Sequence, residues 1–353
     1  MFEDLLRAWD GEEVAVRFDA PTGTWMFVCV HSTVLGPAAG GTRLKVYEAP
    51  EDALRDGLRL STAMTSKNAM AGLPLGGGKA VLAVPELPAG AARREVLLRY
   101  GDLVESLHGT YWTACDMNTS PPDMDVIGER SSHVFARTEA AGGSGTSAPA
   151  TAEGVIFGMR AALRHAFGDD GFEGRTVAIQ GVGAVGDPLA RALAEAGARL
   201  VLADVDDVRA KEIANELGGS SVDAKEIVDA DCDVFSPCAT GGVLSGEVIA
   251  ARLRCRVVAG AANNQLAEPE DADRLAERGI LYAPDYVVNA GGIIHLASLE
   301  LLGEDLAARD ERVRAIGDTL REVFRVADER GISTAAAADA IVEQRLDAGR
   351  GVA

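Results

Sequence analysis

Between Glu13 and His31 apolar and polar positions alternate: Val14, Val16 and Phe18 take every second place, Pro21-Thr22-Gly23 interrupts them, and Trp25 to Val30 resumes the apolar pattern. A period of two broken by a turn predicts a β-hairpin. The period then lengthens, so that 51–64, 91–107 and 122–130 read as helices, while the unbroken apolar run Ala80-Val81-Leu82-Ala83-Val84 reads as a buried strand. Helices mixed with strands predict an α/β region over residues 1–140.

The pattern changes after Ala140. Small residues run to Pro149 through Gly142-Gly143-Ser144-Gly145, the composition of a domain boundary or hinge, and a helix over 151–166 follows. From Arg175 onward short apolar strands near 176–180, 199–203, 233–236, 256–260 and 280–282 alternate with helices, which predicts a doubly wound parallel sheet. Helices are expected at 291–302, 305–329 and 334–348. The expected organisation is an N-terminal α/β substrate domain (1–140) and a Rossmann dinucleotide-binding domain (141–329). A cleft is expected between them, and the helices of 330–353 are expected to pack back on the first domain.

Composition narrows the function classes. The 353-residue chain is 47% hydrophobic and 25% charged, the balance of a globular protein, and its formal charge of -20 argues against nucleic acid or an anionic membrane as partner. Its N-terminus lacks the basic and apolar regions of an export signal, and no apolar run reaches the roughly 18 residues of a membrane span, so a cytoplasmic location is expected. Five cysteines form no CxxC pair and five histidines no HExxH spacing, so reduced thiols are expected and no metal site.

Two motifs carry chemistry. Thr176-Val177-Ala178-Ile179-Gln180 is strand-like, Gly181-Val182-Gly183-Ala184-Val185-Gly186 is a GxGxxG turn, and a helical stretch follows from Leu189. Gly181 permits the tight turn, Gly183 lets backbone amides approach a pyrophosphate, and Gly186 lets helix and strand pack closely. Asp204, closing the next strand, suits a ribose hydroxyl and repels a 2′-phosphate, so the expected cofactor is NAD. Asp187 in the first helical turn adds a negative charge near the phosphates that could weaken binding.

The second motif is a pair of lysines, Lys67 in Met64-Thr65-Ser66-Lys67-Asn68 and Lys79 in Gly76-Gly77-Gly78-Lys79. Only five of the 34 basic residues are lysine. Arginine keeps its proton in proteins, whereas a buried lysine beside another cation can be driven towards neutrality and act as a base. Gly76-Gly77-Gly78-Lys79 is not a phosphate loop, because Gly72 is misplaced by one position and Ala80 stands where magnesium binding needs Ser or Thr.

Together with Gly36-Pro37-Ala38-Ala39-Gly40-Gly41-Thr42-Arg43, Thr113-Ala114-Cys115-Asp116, Gly260-Ala261-Ala262-Asn263-Asn264 and Asn289-Ala290-Gly291-Gly292, these stretches resemble the Glu/Leu/Phe/Val amino-acid dehydrogenase family, nearest its branch acting on apolar amino acids. The resemblance runs from about Asp10 to Gln344. It implies that Lys67, Asn263 and the Gly41 backbone hold the substrate carboxylate, that Lys79 is the catalytic lysine, and that Asp116 exchanges a proton with the amine. Asn289, Thr151, Ala239, Thr240, Ala261 and Asn263, with the turn Gly181, Gly183, Ala184, Val185 and Gly186, would bind the cofactor. Ala39, Ala114, Asn289, Ile293 and Leu296 would surround the substrate.

These residue types suit oxidative deamination. An ammonium must lose a proton before hydride can leave Cα, and a lysine of depressed pKa can then activate water at the iminium, with Lys67 repelling the protonated form of Lys79. The expected activity is reversible NAD-dependent conversion of a phenylalanine-, leucine- or valine-type amino acid to its 2-oxo acid and ammonia. Glutamate is disfavoured, since Met70 and not a second cation accompanies Lys67. A homo-oligomer is expected, because the N-terminal hairpin offers an edge for a second chain. The alternatives are a dehydrogenase recruited to a specialised pathway, an enzyme of folate-dehydrogenase type, and a non-catalytic NAD-binding protein.

Overall fold

The computed structural model describes residues 2–351; Met1, Val352 and Ala353 lie outside the described residues, the last two within the stretch expected to pack back. The chain divides into two compact units. One runs to Gly145 and includes Leu296–Asp305 and the segment from Gln344; the other is Thr146–His295 with Leu306–Glu343.

The first unit contains α1 (Phe2–Trp9), β1 (Glu13–Asp19), β2 (Thr24–Ser32), β3 (Ala38–Lys45), α2 (Pro50–Met70), β4 (Gly76–Ala83), α3 (Gly90–Glu105), β5 (Tyr111–Cys115) and α4 (Pro121–Ile127). The strands form one sheet in the order β1-β2-β4-β3-β5. β1 and β2 are the hairpin read from the alternation, with Glu13 opposite Val30 and Asp19 opposite Thr24. β4 runs antiparallel to β2, and β3 runs parallel to both β4 and β5.

Helices cover both faces of this sheet, which is why β2 and β4 are apolar at consecutive positions. Met26, Val28, Val30, Ala80 and Leu82 pack with Leu97, Tyr100 and Val104 of α3 and Met124 of α4. Phe27, Cys29, Val81 and Ala83 pack with Ala53, Leu54 and Leu58 of α2. The later segments join the unit through polar ties. Glu300 accepts hydrogen bonds from the backbone N–H of Ala136 (2.7 Å) and Ser144 (2.9 Å), and the Arg345 guanidinium donates to the carbonyls of Ala69 (2.9 Å) and Met70 (3.2 Å) at the C-terminus of α2, where a cation suits the helix dipole.

The second unit contains α5 (Ala148–Phe167), β6 (Thr176–Gln180), α6 (Gly186–Glu195), β7 (Arg199–Ala203), α7 (Asp207–Glu216), β8 (Ser220–Ser221), β9 (Val234–Pro237), α8 (Gly246–Ala251), β10 (Val257–Val258), α9 (Asp271–Glu277), β11 (Leu281–Tyr282) and α10 (Asp285–Val288). Beyond these lie α11 (Gly291–Leu296), α12 (Leu306–Arg330) and α13 (Thr334–Arg350). The strands, all parallel, lie in the order β11-β10-β9-β6-β7-β8, the doubly wound arrangement whose order reverses between β6 and β9.

Three local expectations change. The strand read at Ala80–Val84 begins earlier, as β4 from Gly76, and the glycine-rich stretch at 38–41 is the start of β3. α2 does not stop at Met64 but continues to Met70, carrying Lys67 in its last turn. The helix read over 291–302 is α11 followed by a π turn at Ala297–Leu301.

Candidate active site

Strand register assembles the first unit's candidates. Because side chains alternate between faces, Ala39, Gly41 and Arg43 of β3 share a face with Gly77, Lys79 and Val81 of β4 and with Ala114 of β5. The pairings Ala39–Gly77, Arg43–Val81 and Gly41–Ala114 fix the rows. Asp116 follows β5 directly, beside Arg43. This is the face that α2 covers. The helix approaches so closely at Gly77 that a Cβ there would fall 2.1 Å from the Thr65 backbone nitrogen; only glycine lets the turn carrying half-buried Lys67 lie over the strand.

Lys79 is buried at 5% exposure, and its Nζ lies 3.0 Å from Asp116 Oδ2. Arg43 Nε meets the same oxygen at 3.0 Å, and Arg43 Nη1 lies 2.7 Å from Asp56 Oδ2 of α2. Asp56 also accepts from the Tyr47 hydroxyl (2.7 Å) and from Arg59 (3.0 Å). The turn after β5 is pinned because the Asp116 N–H donates to Thr119 Oγ1 (2.8 Å), whose hydroxyl donates to the Thr42 carbonyl (2.8 Å).

The electrostatics follow from burial and pairing. Desolvation pushes the Lys79 pKa below the ordinary lysine value; Asp116 opposes that shift and Arg43 reinforces it. Desolvation alone would raise the Asp116 carboxyl, but Lys79 and Arg43 outweigh it and hold the group below the usual carboxylate range. Arg43 is therefore a cation acting on Lys79 at this site. The sequence offered it only as the last letter of a motif, and Asp56 not at all.

In the second unit, Gly181 takes a left-handed φ of +94° and donates to the Ala203 carbonyl at 2.7 Å. At Gly186 a Cβ would strike the Gly181 carbonyl oxygen, whereas at Gly183 it would meet nothing within 4 Å, leaving that backbone open to a ligand. Ala184 is exposed, Val185 precedes α6, and Ala239 lies against Gly181 with Thr240 exposed beyond it. Asp204 accepts from the backbone N–H of Val182 (2.8 Å) and of Asp206 (3.0 Å), fastening the turn to the end of β7. Asp187, whose charge raised concern, is paired with Arg191 at 2.8 Å, which in turn pairs with Glu216 at 2.6 Å.

Asn289, Asn263, Ala261 and Thr151 also gather in this unit. Asn289 Nδ2 donates to Asn263 Oδ1 (2.8 Å) and to the Ala261 carbonyl (3.2 Å), and Thr151 Oγ1 bonds the Ser147 carbonyl (3.1 Å) beside Gly292 at the start of α11. Asn289 Oδ1 is buried with no protein partner. An orphaned acceptor of this kind calls for a donor from outside the protein, and an amide group supplies one. Ile293 is half-buried on α11, as is Leu296 at its end. Among the described residues no cluster of His, Cys, Asp and Glu is arranged for a metal ion, and no helix is long and apolar enough to cross a membrane.

Comparison with known proteins agrees with this geometry. Residues 14–133 match the dimerisation domain of Glu/Leu/Phe/Val dehydrogenases, and 142–208 with 204–339 match the Glutamate/Leucine/Phenylalanine/Valine dehydrogenase domain. A leucine dehydrogenase from Thermoactinomyces intermedius is 42% identical over 98% of this chain and 93% of its own. A valine dehydrogenase from Streptomyces albus is 44% identical over 95% and 92%. The crystal structure of an L-tryptophan dehydrogenase from Nostoc punctiforme superposes with a TM-score of 0.87 at 37% identity, covering 99% of both chains. A glutamate dehydrogenase from Peptoniphilus asaccharolyticus shares the fold, with a TM-score of 0.75 at 23% identity, 99% of this chain and 93% of that one covered. The chain is an amino-acid dehydrogenase and belongs to the Glu/Leu/Phe/Val dehydrogenase family.

Proposed function

We propose that this dehydrogenase catalyses the reversible NAD-dependent oxidative deamination of an apolar L-amino acid, of leucine or valine type, to its 2-oxo acid and ammonia. The observation that carries the reading is the buried Lys79 ammonium group 3.0 Å from the Asp116 carboxylate. The leucine and valine dehydrogenases among its relatives favour the branched aliphatic class. The small buried side chains of Ala39 and Ala114, on the sheet face that carries Lys79, supply apolar walls.

Each residue has a chemical task. Lys67 and the Gly41 backbone hold the substrate carboxylate. Both cations sit on Asp116 Oδ2, which leaves Oδ1 to take the proton from the substrate ammonium. Lys79, its pKa lowered by burial, removes a proton from the water that adds at Cα, and Asp116 returns its proton to the departing ammonia. Leu296 completes the apolar contacts of the side chain.

The turn Gly181 to Gly186 with Ala239 and Thr240 would hold the dinucleotide phosphates, and Thr151, Ala261, Asn263 and Asn289 the nicotinamide amide. Bound there, the nicotinamide supplies the hydride acceptor. NAD is preferred over NADP because Asp204 is followed by Asp206 and Asp207, an acidic edge that repels a 2′-phosphate. A homo-oligomer fits β1, an edge strand exposing Val16 and Phe18 within the region matching a dimerisation domain. The test is an NAD-reduction screen over the twenty L-amino acids at alkaline pH. Leucine or valine should lead; a lead by glutamate, or no turnover with any, would overturn the reading.

A further inference from the structure

Asp116 and Lys79 pose a problem for each other. A carboxylate 3.0 Å from a buried ammonium holds that ammonium in its charged form, and a base that never loses its proton does nothing. If the lysine did become neutral with no other cation present, Asp116 would be left as an unpaired, half-buried anion, which is unfavourable. The pair therefore needs a third group that keeps its charge at every working pH.

We infer that Arg43 is a positioning residue that carries the Asp116 charge through the catalytic cycle, and that Asp56 and Tyr47 form the anchor holding it in place. Its Nε meets Asp116 Oδ2 at 3.0 Å and its Nη1 meets Asp56 Oδ2 at 2.7 Å, so one planar guanidinium bridges β3, α2 and the turn after β5. A lysine cannot bridge two carboxylates in this way. Asp56 is itself held by the Tyr47 hydroxyl at 2.7 Å and Arg59 at 3.0 Å, so the fork cannot swing without breaking both of its contacts to partners fixed in place.

Asp116 from beyond β5, Arg43 from β3 and Asp56 from α2 all bear on Lys79. When Lys79 releases its proton, the Asp116–Arg43 pair remains neutral as a unit. This inference rests on the proposed roles of Lys79 and Asp116 and adds the group that makes their proton exchange compatible with burial.

The test is the pH dependence of kcat/KM for oxidative deamination in Arg43→Met, Arg43→Lys and Asp56→Asn, with NADH binding by fluorescence as the check on folding. In Arg43→Met the limb where activity rises should move to higher pH by about one unit, because Asp116 and Lys79 both hold their protons more tightly. Arg43→Lys keeps the charge and should return the limb to within about 0.3 unit of wild type while kcat stays at least tenfold down, because the bridge is lost. Asp56→Asn should lower kcat with no alkaline shift. If Arg43→Met does not fold, Arg43→Gln carries the same expectation. Folded Arg43 variants that lose activity equally at every pH, or an alkaline shift in Asp56→Asn as large as that in Arg43→Met, would overturn the role of Arg43. Absence of amino-acid turnover in the wild type would instead overturn the function on which it rests.

Discussion

Replacing Lys79 by methionine separates catalysis from stability in a way the site geometry fixes in advance. Lys79→Met exchanges a buried ammonium for an apolar side chain of similar length. Removing one partner of a buried ion pair ordinarily costs about 3–5 kcal/mol, because the other charge is orphaned, whereas replacing buried charge with apolar volume is neutral or stabilising by about 1–4 kcal/mol. Asp116 keeps Arg43 at 3.0 Å, so no charge is orphaned and the second case applies in its lower half. Stability should change by zero to about +2 kcal/mol, raising the apparent Tm by up to about 5 °C.

The sign against pH follows from Lys79. Its folded pKa is lowered, chiefly by burial, while an unfolded lysine keeps its proton up to about pH 10.4. Between those values the unfolded chain binds more protons, so wild-type stability rises with pH there. The advantage of Lys79→Met should therefore be largest near neutrality and shrink towards pH ~10. Turnover, by contrast, should fall about 10²- to 10⁴-fold, the usual worth of a general base, with NADH binding kept. Thermal melts at neutral and alkaline pH, run beside steady-state kinetics, decide the matter. A Tm lowered by more than about 6 °C, the signature of an orphaned carboxylate, or ordinary turnover in a folded variant would refute the reasoning.

Two further outcomes are expected. Asp204→Ala should raise kcat/KM with NADP relative to NAD by tenfold or more, measured in parallel with both cofactors; an unchanged ratio counts against the ribose role. Asp339→Asn should raise the Tm near pH 7 and leave it unaltered near pH 3. Burial raises the Asp339 carboxyl pKa beside the Tyr286 hydroxyl at 2.8 Å, so the wild type loses stability as pH rises through that value and the neutral amide does not; a Tm advantage of the variant at acid pH alone contradicts this.

What was legible in the chain is local. The hairpin declared itself by alternation, and β6 with the turn at Gly181 and the carboxylate at Asp204 form a contiguous pattern fixed by near-neighbour geometry. The glycine-rich parts of the active-site strands were hidden for a physical reason. Ala38-Ala39-Gly40-Gly41 and Gly76-Gly77-Gly78 have the composition of turns, yet they are β3 and β4 because α2 and the neighbouring strands come too close for side chains. The same closeness explains why α2 outran its expected end: its last turn is held against Gly77 by tertiary packing that residue propensity does not encode. Arg43 and Asp56 meet across 13 positions, and only the register of β3 and the phase of α2 bring them to Asp116. The lysines were conspicuous because lysine is scarce here; one more arginine among many was not.

The central claim is that this chain moves an amine, and the most direct measurement is ammonia itself. Purified enzyme incubated with L-leucine or L-valine and NAD should release ammonia and NADH in equal amounts, and should oxidise NADH with the matching 2-oxo acid only when ammonium is supplied. NADH oxidation that proceeds without ammonium, or NADH formed with no ammonia released, would contradict the account.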